Sequence, residues 1–163
     1  MKARPINLIV VHCSASEWGS RDAIDKWHKD RGWNGIGYNY VITNGRKTNK
    51  NDFDLRYDGR IENGRPLDQV PAHVKGLNSH SIGICLIGNH HFTKKQFTVL
   101  KGLLLDLMDE HEVALDRVVG HYELDSHKTC PNFNMDAVRN ELRESETLVG
   151  ILTHSSNNGD KKK

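Results

Sequence analysis

Two short runs, "NLIVVHC" at residues 7–13 and "SIGICLIG" at 81–88, constrain the fold of this chain more than any other feature. Both are apolar, and the first is rich in β-branched residues. Both read as buried strands, the second as a central one. Side chains alternate faces along a strand, so Leu8, Val10 and His12 share one side of the first run and Ile9, Val11 and Cys13 the other. Helical patterns lie between such runs. In "SRDAIDKWHKDRGW", 20–33, Ala23, Ile24 and Trp27 fall at helical spacing, with Ser20 or Asp22 near the cap and Gly32 as the stop. Thr93 and Gln96 form a capping-box pair, and Phe92 and Phe97 a hydrophobic staple. They open a helix whose buried stripe is Phe97, Leu100, Leu103, Leu104, Leu107 and Met108.

"YNYVIT", 38–43, and "RVVGH", 117–121, predict further strands, and "NMDAVRNELRE", 134–144, a third helix. The polar stretch Asn44–Asp54 reads as an exposed loop, and "LRYDGRIENG" as a tight hairpin turning at Asp58-Gly59. Strands interleaved with helices, and at least one hairpin, predict an α/β fold: a central mixed β-sheet flanked by about three helices. One domain is expected over residues 1–150, followed by a polar, disordered tail at 151–163.

Composition narrows the function classes. The 23 basic and 21 acidic side chains leave a formal charge of +2, too balanced to point to nucleic acid. No run approaches the roughly 20 apolar residues of a membrane span, so no membrane insertion is expected. "NLIVV" is too short for the core of a secretory signal, which predicts either cytoplasmic synthesis or a mature fragment whose leader has been removed. Three cysteines, Cys13, Cys85 and Cys130, do not make a disulfide framework. Cys13 and Cys85 lie in apolar runs and read as buried thiols; Cys130 alone lies among turn residues.

Among ten histidines, two stand out. His12 ends a buried strand, where ligands gather in many α/β folds, and His121 ends "RVVGH" in the same way. Cys130 follows nine residues later, past a loop able to fold back. Two imidazoles and one thiolate with an open fourth position make a catalytic zinc set. Spacing alone leaves other readings open: a satisfied core histidine at His12, or a thiol hydrolase using Cys13 beside it. His28, His111 and His154 read as bystanders, and His90 and His91 as solvated loop residues.

The blocks "VVHCSA", "GWNGIGYNYVI", "HVKGLNSHSIGICLIGN" and "GHYELDSHKTCP" occur in this order. Over residues 6–143 they resemble the zinc-dependent type 2 N-acetylmuramoyl-L-alanine amidases, above all the short single-domain phage members; peptidoglycan recognition proteins share that fold. The resemblance implies one zinc ion on His12, His121 and Cys130, with Tyr38 and Lys128 as catalytic residues. It also implies His73 and Asn78 as substrate-groove residues. It implies hydrolysis of the amide between N-acetylmuramic acid and L-alanine, with peptidoglycan or a muropeptide as partner. The intact cysteine favours catalysis over a module that only binds the wall. A monomer is expected, made in the cytoplasm and acting on the wall after release or delivery. A phage lysin is the favoured setting; a delivered toxin and a muropeptide-recycling enzyme are the alternatives, and a regulatory protein partner stays open. Two departures mark this chain. "GRKTNKNDFDL" is longer than the usual hairpin, and His127 places an imidazole where the resemblance offers none, as a fourth ligand, a substrate contact or a solvated side chain.

Overall fold

The computed structural model describes residues 4–145; the tail expected at 151–163 and His154 lie outside them. Five strands form one sheet: β1 (Leu8–Cys13), β2 (Tyr40–Asn44), β3 (Asp58–Asn63), β4 (Ser81–Leu86) and β5 (Val118–Gly120), in the order β3-β2-β4-β1-β5. β3 pairs antiparallel with β2, and all other pairs are parallel. The sheet is therefore mixed, with β4 and β1 at its centre and both buried along their whole length. Residues through Phe133 form one compact unit; a second begins at Asn134 and contains the third helix, residues 135–145.

Helix α1 (Arg21–Asp30) starts where the Ser20 hydroxyl accepts from the Ala23 N–H at 3.0 Å. It ends before Gly32, whose φ of +87° is a left-handed conformation that an L side chain rarely adopts. Its Ile24 and Trp27 pack with Ile36, Val41, Cys85, Ile87 and Tyr38 on one sheet face. Helix α2 (Lys94–His111) carries the full capping box: the Gln96 N–H donates to Thr93 Oγ1 at 3.1 Å, and the Thr93 N–H to Gln96 Oε1 at 2.9 Å. The Phe92 and Phe97 rings meet at 6.0 Å. Gln96 is also fully buried, and its Nε2 donates to the Ile87 carbonyl at 2.8 Å and the Ile42 carbonyl at 3.1 Å. One side chain thus caps a helix and ties the ends of two strands.

The hairpin differs from expectation. Asp58 and Gly59 open β3 instead of forming a turn, and the antiparallel partner is β2, reached across the whole of residues 45–57. The β2–β3 ladder shifts register between Ile42 and Asn44, as at a β-bulge.

Candidate active site

Parallel strands deliver the site. β1 and β5 run side by side in the same direction, so their C-terminal ends present His12 and His121 together. Their rings lie 4.7 Å apart, centre to centre. Beyond His121 the chain doubles back. The Lys128 N–H donates to the Asp125 carbonyl at 3.0 Å, and the Tyr122 N–H closes the loop on the Cys130 carbonyl at 2.9 Å. Cys130 thereby reaches β1, where the backbone N–H of Cys13 donates to its sulfur at 3.0 Å. One donor atom each from His12, His121 and Cys130 lie within 4.8 Å of one another. A tetrahedral ion with bonds of about 2.0–2.3 Å holds its donors somewhat closer than that, so a small contraction suffices.

The electrostatics suit a cation. Burial, then the neighbouring His73 and His121, hold His12 well below the usual imidazole range. Burial and then Lys128 lower His121, with Asp125 opposing. Both rings are neutral lone-pair donors at neutral pH. The Cys130 thiol is pushed up, first by its hydrogen bond to Cys13 and then by burial, which a bound divalent cation would reverse. A backbone N–H already aimed at the sulfur favours the thiolate. Two imidazoles and a thiol match zinc in ligand softness, and three protein donors are the count of a catalytic site.

His127 stays outside the cluster: its ring is 92% exposed and meets Asp125 at 3.2 Å. Tyr38 lies beside the cluster, its ring 5.0 Å from that of His12. Helix α1 sets its position from behind. Asp25 Oδ1 accepts from the Ile36 N–H at 2.8 Å, and His28 Nδ1 from the Gly37 N–H at 2.9 Å. Burial first, then the thiols of Cys85, Cys130 and Cys13, raise the Tyr38 hydroxyl well above its ordinary range, so it stays protonated and able to donate. Lys128 is exposed on the loop, and its charge is felt at His121.

His73 reaches the cluster directly, whereas Asn78, just ahead of β4, acts on the backbone that carries His73. His73 Nδ1 lies 2.8 Å from His12 Nε2. Asn78 Oδ1 accepts from the backbone N–H groups of His73 and Val74, both at 2.9 Å. Three further residues escaped the sequence reading. His28 is buried and supports Tyr38, with ring centres 5.5 Å apart. Asn132 Nδ2 donates to the Asn89 carbonyl at 2.8 Å and approaches Cys13 Sγ at 3.6 Å. Ser81 contacts His73 Nε2 through its hydroxyl at 2.9 Å. His90 and His91 line an open polar pocket with Glu17, Arg46 and Lys50.

A model of the N-acetylmuramoyl-L-alanine amidase family matches residues 2–133. The chain belongs to the type 2 N-acetylmuramoyl-L-alanine amidases. It is 34% identical over 159 residues to the endolysin of Klebsiella phage KP32, covering 89% of this chain and 94% of that one. Among solved structures, the N-acetylmuramoyl-L-alanine amidase LysC from Clostridium intestinale superposes with a TM-score of 0.71 at 29% identity, over 86% of this chain and 87% of that one. Drosophila PGRP-LB shares the fold, with a TM-score of 0.61 at 22% identity over 78% and 75% of the two chains. The amidase is therefore a peptidoglycan hydrolase that cleaves the bond between N-acetylmuramic acid and L-alanine.

Proposed function

We propose that the amidase reaction depends on one zinc ion held by His12, His121 and Cys130, and that it serves cell-wall lysis by a phage endolysin. The observation that carries the metal reading is the convergence of two neutral imidazoles and a sulfur accepting a backbone N–H, from three separate segments, within 4.8 Å. The match along nearly the whole length of a phage endolysin supports the biological setting. When bound, zinc supplies Lewis acidity, lowering the pKa of water to about 7 and polarising the scissile carbonyl.

The chain's own residues supply the rest. Tyr38 keeps its proton beside His12 and donates a hydrogen bond to the oxygen that becomes negative as the amide carbon turns tetrahedral. Lys128 brings positive charge to the mouth of the site, favouring the same oxyanion. As the C–N bond breaks, the L-alanine nitrogen takes up a proton, for which Tyr38 and Lys128 are the two donors at hand. His73, bonded to His12, and Asn78, which holds the His73 backbone, support the site. Among the described residues no helix is long and apolar enough to cross a membrane. We place the enzyme's action at the wall, after release from the cytoplasm and as a monomer.

Metal analysis of the purified chain tests this reading. One zinc per chain, lost in Cys130→Ser together with hydrolysis, is the expected outcome. Hydrolysis that survives complete removal of zinc would overturn it.

A further inference from the structure

We infer that His73 is a positioning residue: a Ser81–His73–His12 hydrogen-bond chain fixes the ring orientation and tautomer of His12 for metal binding. The inference rests on the reading of His12 as a zinc ligand.

Both nitrogens of His73 are already engaged by the protein. Nδ1 meets His12 Nε2 at 2.8 Å and Nε2 meets the Ser81 hydroxyl at 2.9 Å, which leaves no ring atom for a substrate. Because His12 Nε2 is turned to His73, Nδ1 is the His12 atom left for the metal. A neutral His12 that ligates through Nδ1 carries its hydrogen on Nε2 and donates it to His73 Nδ1. His73 must then carry its own hydrogen on Nε2 and donate to Ser81 Oγ. The two hydrogen bonds, His12 to His73 and His73 to Ser81, then each pair a donor with an acceptor, with no ionised group. Metal-bound histidines characteristically donate their other N–H in this way, which sets the tautomer and steadies the ring.

The seat for His73 is built into the sheet. Ser81 and Gly83 are two apart on β4 and so share a face. A Cβ at Gly83 would fall 2.7 Å from His73 Cγ, 2.8 Å from Cδ2 and 3.0 Å from Nδ1, so only glycine leaves room for the ring. The backbone of His73 is held from the other side by Asn78. Ser81 and His12 are almost fully buried, so the chain is shielded from competing water.

The test is zinc affinity of the metal-stripped full-length chain, by competition with a chelator of known affinity, beside kcat and KM on a soluble muropeptide. His73→Leu should weaken zinc by about 10–100-fold, the usual consequence of losing such a partner. His73→Gln, whose amide can accept from His12 and donate to Ser81, should recover most of the loss. Gly83→Ala, which pushes the ring aside, should weaken zinc without removing any polar atom, and Ser81→Ala should weaken it less. Melting of the metal-free variants controls for folding; if His73→Leu does not fold, Gly83→Ala and Ser81→Ala carry the test. Wild-type zinc affinity in these variants with a raised KM would overturn the inference and make His73 a substrate contact. A wild-type chain that binds no zinc would defeat the underlying metal reading as well, and is recognised by the unsubstituted control.

Discussion

Gln96→Leu probes the joint on which the site-bearing end of the sheet depends. The substitution keeps side-chain size and helix propensity but removes one acceptor and two donors from a fully buried position. The Ile42 carbonyl keeps its bond from the Ile87 N–H at 3.0 Å, so it is not orphaned. The Ile87 carbonyl loses its bond from Gln96 Nε2, an unsatisfied buried acceptor worth about 1–3 kcal/mol. The Thr93 N–H loses the return half of the capping box, at about 0.5–1 kcal/mol from the range for caps. Better burial of the leucine offsets part of this, leaving a net loss of about 1–3 kcal/mol. Urea unfolding of the metal-free protein measures it, with a lower midpoint and an unchanged slope expected. By the usual scaling for chains of this size, melting should fall by roughly 2–12 °C. A change below about 0.5 kcal/mol, the range of an ordinary surface substitution, would refute the claim that Gln96 ties these strands.

His12→Ala, His121→Ala and Cys130→Ser should each abolish zinc-dependent hydrolysis, whereas His127→Ala, an exposed ring on the loop, should largely spare it in the same assay. Tyr38→Phe should lower kcat by about 10²–10³-fold, the cost of one oxyanion donor, with zinc content unchanged; wild-type kcat would remove Tyr38 from the mechanism. Burial first, with help from Arg31 and Arg65, lowers His28 to about 4, so folding keeps it neutral where the unfolded chain would protonate it. Its contribution is therefore complete above about pH 6.5 and lost as pH falls towards about 4, by up to about 3 kcal/mol. Urea midpoints across that window should slope less in His28→Gln than in the wild type. Chelation should stop hydrolysis and added zinc restore it, whereas a thiol enzyme built on Cys13 would keep working.

Elements governed by local chemistry were legible in the residues. The two apolar runs are the central strands, and Thr93-Gln96 is a capping box with the expected staple, because each depends on neighbours a few positions away. Asp58-Gly59 misled because the dipeptide favours a tight turn locally, while pairing with β2 claims it for a strand. The gathering of His12, His121 and Cys130 followed from strand ends plus resemblance, since both histidines close parallel strands that pair directly. The His73–His12 bond joins residues 61 apart through an irregular loop, which no periodicity reports. One trace of it was present: Gly83 inside an apolar strand, the usual mark of a close approach to the backbone. Gln96 was read only as a cap, and its burial depends on where α2 meets the ends of β2 and β4. His28 sits on a helix face that reads as solvated until the segment carrying Tyr38 folds over it.

The central claim is that this fold cleaves the muramoyl–alanine amide with zinc on His12, His121 and Cys130. The most direct measurement is digestion of purified peptidoglycan by the metal-stripped chain, with and without added zinc, scoring new L-alanine amino termini against new reducing sugar ends. New amino termini that appear only with zinc, without reducing ends, are the predicted result. Amino termini released equally without zinc, or reducing ends in their place, would contradict it.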